Sequence, residues 1–163
     1  MKKSTVYVET SVISYLAARP SRDVVAAGHQ QISYEWWATE RINFSLYTSA
    51  LVLREASNRN PEAASARLEW LRDIPVIAIT QEAEALSEYL IQREALPQNA
   101  VADALHIAIA TYHQLDFLLT WNCKHIANAV KRYLIERACR EFGFESPILC
   151  TPEELLGVNS DVE

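Results

Sequence analysis

The sequence predicts an α/β protein in which a parallel sheet of four or five strands is covered by helices on both faces. Two observations carry that prediction: short apolar, β-branched runs recur along the chain, and longer segments of helical period lie between them. A third supports it: only three Gly and six Pro in 163 residues mark a compact chain with short loops.

The strand-like runs fall at 4–8, 44–48, 75–79 and 116–120, with a weaker fifth at 147–150. Helical segments are expected near 10–18, 23–42, 50–58, 61–72, 81–95, 99–114 and 125–142. Thr80 before Q-E-A-E-A-L is a helix start, and T-P-E-E-L-L from Thr151 combines an N-cap, a proline at the first helical position and a capping box. Residues 1–156 make one domain, and 157–163 read as a flexible tail.

With 50% hydrophobic and 22% charged residues, the chain belongs with ordinary globular proteins rather than disordered ones. Cys123, Cys139 and Cys150 are odd in number and form no C-x-x-C pair, so neither a disulfide framework nor a zinc ribbon is indicated; a reducing cytoplasm fits. The apolar run after Met1-Lys2-Lys3 is broken by Glu9 before it reaches signal-peptide length, and no stretch is long enough for a membrane span. A net charge of −6 disfavours indiscriminate nucleic-acid binding, although Lys131, Arg132, Arg137 and Arg140 are grouped late in the chain and Arg54 and Arg59 near its middle. Solvated helix faces are the ordinary reading of such groups.

Four polar positions stand out on this scaffold. The stretch V-Y-V-E-T-S-V, residues 6–12, ends a buried-looking strand on an acid. Glu9 is then either a turn residue, with Thr10 or Ser11 capping the next helix, or a carboxylate at the carboxyl end of a central strand, where open α/β sheets place ligands. Glu55 follows Leu51 and Val52 by four and three residues, which puts an acid on the apolar face of a helix, either at the core edge or directed into a site.

Asp103 lies in A-V-A-D-A-L-H-I-A-I-A, residues 100–110, apolar apart from itself and His106. Burying an ionised carboxylate costs several kcal/mol without a partner, and a helix dipole returns only about 0.3–1 kcal/mol. Arg93, a distant arginine or a bound cation would supply the counter-charge. His106 reads as a core histidine bonded to a neighbouring carbonyl or carboxylate. After the fourth strand, Thr120, Asn122, His125 and Asn128 are polar; Asn122 offers a neutral carbonyl oxygen or simply closes a turn. Trp36 and Trp37 diverge by about 100° on a helix, so one ring should face outward and could belong to an interface.

Taken in order, Y-V-E-T-S-V-I, Glu55, A-D-A-L-H-I-A and L-L-T-W-N resemble the acidic positions of the PIN domain, the nuclease fold of VapC-type toxins in toxin–antitoxin pairs. The resemblance runs from Val6 to about Leu155. It implies a three-layer α/β/α sandwich, a magnesium or manganese ion, cleavage of single-stranded or looped RNA to 5′-phosphate and 3′-hydroxyl ends, a homodimer, and a cognate antitoxin whose arginine or lysine enters the acidic cleft. On it, Glu9, Glu55 and Asp103 are the metal-binding and catalytic carboxylates, Asn122 is a fourth catalytic position, and Thr10, Ser11 and Thr120 support them.

Two departures are visible: Glu9 stands where the family usually has aspartate, and Asn122 where it usually has a fourth acid. Converging carboxylates repel one another unless a hard cation neutralises them, and oxygen ligands suit magnesium or manganese. The alternatives are a PIN-like RNA-binding module with weak or lost cleavage, which Asn122 favours, and a doubly wound phosphate binder, which the absence of a Gly-rich phosphate loop disfavours.

Overall fold

The computed structural model of the chain describes residues 2–157. All five strands are present: β1 (Ser4–Val8), β2 (Phe44–Ser49), β3 (Val76–Ile77), β4 (Phe117–Leu119) and β5 (Ile148–Cys150). They pair in parallel in the order β3-β2-β1-β4-β5, with Val6 opposite Leu46 on one side and Phe117 on the other. Val6, Tyr7 and Val8 are all fully buried, because successive residues of this central strand face the two helical layers.

The helices are α1 (Thr10–Ala17), α2 (Val24–Glu35), α3 (Ala50–Ala56), α4 (Pro61–Leu71), α5 (Gln81–Gln92), α6 (Val101–Tyr112) and α7 (Ala129–Phe142). Helix α1 packs with α2, α3 and α4, and α5 packs with α6 and α7. The split follows from topology. Right-handed crossovers place helices on one face while the chain steps from β1 to β3, and on the other once it returns to β4. The result is the expected three-layer α/β/α sandwich, with strand order reversing beside β1.

Local chemistry sets the helix ends. Asn60 caps α4 through Glu62 N (2.8 Å) with Pro61 at the first position, and the Thr80 hydroxyl caps α5 at Ala83 N (3.1 Å). Gly143, at φ 105°, closes α7 in a left-handed conformation.

Three departures from expectation stand out, the other element ends lying within three residues of it. The helix expected over 23–42 loses α geometry at Glu35, passing through a π turn (Trp36–Glu40) and a 3-10 turn (Arg41–Asn43). There the Thr39 hydroxyl donates to the Glu35 carbonyl (2.7 Å), a side-chain bond that competes with the helical ladder. The helix expected from 125 begins at Ala129, because the Asn128 side chain accepts from Val130 N and Lys131 N (3.0 and 3.3 Å). At Thr151 the capping box forms, with Thr151 N donating to Glu154 Oε1 (3.1 Å) and Glu154 N to the Thr151 hydroxyl (3.3 Å). Among the described residues only a turn follows it.

Trp36 is fully buried and its indole N–H donates to Leu155 O (3.2 Å). Trp37 is the outward ring, half-buried, with the Arg41 guanidinium 4.6 Å from its centroid and Trp70 edge-on at 5.7 Å. Of the tail expected over 157–163, only Gly157 is described, set so close to Glu40 that a Cβ would come within 2.8 Å of Oε1; the rest lies outside the described residues. Among the described residues no helix is long and apolar enough to cross a membrane.

Candidate active site

The carboxyl edge of the sheet, at the reversal of strand order, gathers the acids. Glu9 follows β1 directly and is 7% exposed, a buried carboxylate. It is itself the N-cap of α1, so neither Thr10 nor Ser11 plays that part: Glu9 Oε2 accepts from Ser11 N (3.1 Å). Its Oε1 accepts from the Ser11 hydroxyl (2.6 Å) and from the Thr120 hydroxyl (2.5 Å) at the end of β4. These three donors orient the group and satisfy it without neutralising its charge.

Glu55 arrives from α3, whose start is fixed by the Ser49 hydroxyl accepting from Val52 N (3.3 Å). Glu55 Oε1 accepts from the Thr10 hydroxyl (2.5 Å) and lies 2.7 Å from His106 Nε2. The other ring nitrogen of His106, Nδ1, is 2.7 Å from the Tyr7 hydroxyl, which is in turn 2.7 Å from Ser49 Oγ. His106 is thus the satisfied core histidine its position suggested, and its partner is a site carboxylate.

The electrostatics follow from this packing. Burial alone would raise the Glu55 pKa, but the hydrogen bond and charge of His106, the Thr10 hydroxyl and Arg54 outweigh it and hold the carboxyl below the usual carboxylate range. Burial would lower the His106 pKa, yet the Glu55 hydrogen bond and the charges of Glu9, Glu55 and Asp103 raise it above the ordinary imidazole value. Burial drives the Tyr7 phenol far upward, so it stays protonated.

Asp103 is not among the donor atoms that close to within 4.8 Å, although its charge reaches His106. Its Oδ2 lies 2.8 Å from His125 Nδ1, and its side chain is 24% exposed, so the partner it needs is a histidine rather than an arginine. Asn122 controls the same loop: its Oδ1 accepts from His125 N (3.0 Å), and its backbone oxygen accepts from Ile126 N and Ala127 N (3.2 and 2.9 Å). Its side chain closes a turn and sets the residue that holds Asp103. Its own N–H donates to the Thr120 hydroxyl (2.9 Å), which links the turn to Glu9.

Donor atoms of Glu9, Glu55 and His106 all lie within 4.8 Å of one another. Two carboxylates and an imidazole at this spacing could hold a hard or borderline divalent cation such as manganese or magnesium. The acids line an open cleft of about 340 Å³ together with Thr10, Ser11, Arg59 and Arg67. Arg67 is committed to structure, donating to Ala56 O and Asn58 O (2.9 and 2.6 Å).

Tyr7, Ser49 and the role of His125 went unread in the sequence. For Tyr7 a signal exists: a tyrosine in the middle of a strand buried on both faces must find a partner for its hydroxyl. The others depend on contacts between elements far apart in the chain.

No family model matches the chain, and no curated protein matches it. Solved structures do. VapBC2 from Rickettsia felis bound to a promoter DNA fragment superposes with TM-score 0.55 at 17% identity, covering 74% of this chain and 89% of that one. VapC20 from Mycobacterium tuberculosis, a toxin that cleaves the sarcin–ricin loop, gives 0.57 at 19%, covering 74% and 92%. A toxin–antitoxin complex from Klebsiella pneumoniae gives 0.51 at 21%, covering 77% and 93%. At such identities the likeness is one of fold: the chain has the PIN-like fold of these toxin structures.

Proposed function

We propose that the chain is a metal-dependent endoribonuclease, the toxin of a toxin–antitoxin pair. The observation that carries this reading is the convergence of Glu9, Glu55 and His106 donor atoms within 4.8 Å at the carboxyl edge of the sheet, on a fold shared with a toxin that cleaves the sarcin–ricin loop. Glu9, Glu55 and Asp103 would hold the magnesium or manganese ion, with His106 Nε2 staying on Glu55 Oε1 to orient it. When bound, the cation supplies a Lewis acid and a water of lowered pKa. Ser11 and Thr120 keep Glu9 aimed at the cleft, while Thr10 and His106 keep Glu55 in place to orient the attacking water. Asn122 acts through its turn, fixing His125 against Asp103.

The same reading includes a cytoplasmic setting, an antitoxin whose basic side chain enters the cleft, and a homodimer built partly on the segment holding Trp36 and Trp37. A second reading has one observation in its favour: with the Asn122 side chain bonded to the backbone, the chain could bind RNA and cut it poorly. One experiment separates them. End-labelled structured RNA incubated with the purified chain and manganese should yield fragments with 5′-phosphate and 3′-hydroxyl ends, and none with EDTA. Binding without metal-dependent fragments would favour the second reading.

A further inference from the structure

A pocket of about 490 Å³ opens against His125, the residue that meets Asp103. Its lining combines Ile91 and Pro97 with Gln98, Lys124, His125 and Lys131. Glu94 also lines it, so with neutral histidine the formal charge is two lysines less one glutamate, +1, on a chain whose net charge is −6. The volume lies within the about 300–1,000 Å³ of small-ligand sites.

The basic wall is held rigidly. Asn122 Oδ1 accepts from His125 N (3.0 Å), and the Asn128 side chain donates to Cys123 O (2.9 Å), so the loop bearing Lys124 is tied at both ends. Lys131 sits in the first turn of α7, where the helix dipole adds to its charge. His125 connects the pocket to the third acid: it lines the pocket, and its Nδ1 is held by Asp103.

We infer that this pocket is a nucleotide subsite for the RNA strand, next to the point of cleavage. It rests on the RNA-cleaving reading above. A cleft lined by carboxylates repels a polyanion, so a strand crossing it needs cationic groups alongside. Lys124 and Lys131 are placed to neutralise phosphates of the strand, Ile91 and the exposed Pro97 offer an apolar floor for a base, and the Gln98 amide can donate to and accept from a base edge.

The test is fluorescence anisotropy of a labelled single-stranded RNA 12-mer with metal-free protein in EDTA, over a series of salt concentrations. The double variant Lys124→Ala/Lys131→Ala should bind about tenfold more weakly at low salt. Its slope of log affinity on log salt should be shallower by about 1.4, or about 0.7 for each of two phosphates. Lys2→Ala/Lys3→Ala, the same charge change at the opposite edge of the sheet, should stay within about twofold of wild type. Wild-type binding with the pocket variant unchanged in affinity and slope would overturn the subsite, assign the pocket to some other partner and leave the RNA reading standing. Equal losses in both double variants would also overturn it, as a net-charge effect. No binding by the wild type would overturn the subsite, while the RNA reading stands or falls separately on the manganese cleavage assay.

Discussion

His106 Nε2 lies 2.7 Å from Glu55 Oε1, so a residue of the buried helix α6 grips the carboxylate that α3 delivers to the cleft. The Tyr7 hydroxyl at Nδ1 fixes the ring from behind. Tyr7→Phe leaves a buried ring nitrogen and Ser49 without their partner and should cost about 1–3 kcal/mol of stability. Urea denaturation measures it; an unchanged midpoint would show that the chain from Ser49 to Glu55 is not held through this phenol. With Glu55 less firmly oriented, RNA cleavage should fall about 10–100-fold, the usual scale for a residue supporting a metal ligand.

Asn122 offers a test by substitution in two directions. An aspartate can still accept from His125 N and adds a charge, whereas alanine removes the bond and loosens the loop that meets Asp103. Asn122→Asp should fold like wild type and reach half-maximal cleavage at lower manganese; Asn122→Ala should lose about 1 kcal/mol of stability and cleave more slowly. Superimposable curves of rate against manganese for all three proteins would remove position 122 from catalysis.

The closing turn titrates in acid. Burial would raise the Glu154 pKa, but the Thr151 N–H and the Arg132 guanidinium, 2.7 Å away, hold it below the usual carboxylate range. A carboxyl depressed in the folded state contributes stability above its unfolded pKa, about 4.3, and loses it as pH falls through the folded value. The stability difference between wild type and Glu154→Gln should therefore be constant near neutrality and shrink below about pH 4.3. A difference independent of pH down to 3 would contradict the pairing.

The thiols report on the packing of the sheet. Burial pushes Cys139 up to about 11 and Cys150 up to about 12, while Cys123 is exposed on the loop after β4. Thiol titration of the native protein at pH 8 should count one reactive cysteine, and three after denaturation. Two or three in the native state would mean that β5 or α7 is not packed as described.

The fold was legible because its strands are short apolar runs and its helices carry caps, and both signals are local. The failures have local causes too: Thr39 and Asn128 bond backbone groups that a hydrophobic period does not register. At the site, the acids were visible as charges on apolar faces, and so were Thr10, Ser11 and Thr120 beside them. What could not be read was direction. Nothing near Asp103 in the sequence says that its carboxylate meets His125, twenty-two residues away, or that His106 reaches Glu55 rather than a carbonyl.

The central claim is that Glu9 and its neighbours form a metal-dependent RNA-cleaving site, and the most direct measurement is the initial rate of RNA cleavage by Glu9→Gln at saturating manganese. Through its one oxygen glutamine still accepts from the Ser11 and Thr120 hydroxyls, giving up only the Ser11 N–H bond and the charge, so the variant should fold at a cost of about 1 kcal/mol. Its rate should fall by about a hundredfold or more, the scale of losing one electrostatic group at a charged transition state. A folded Glu9→Gln protein cutting RNA at the wild-type rate would contradict the account.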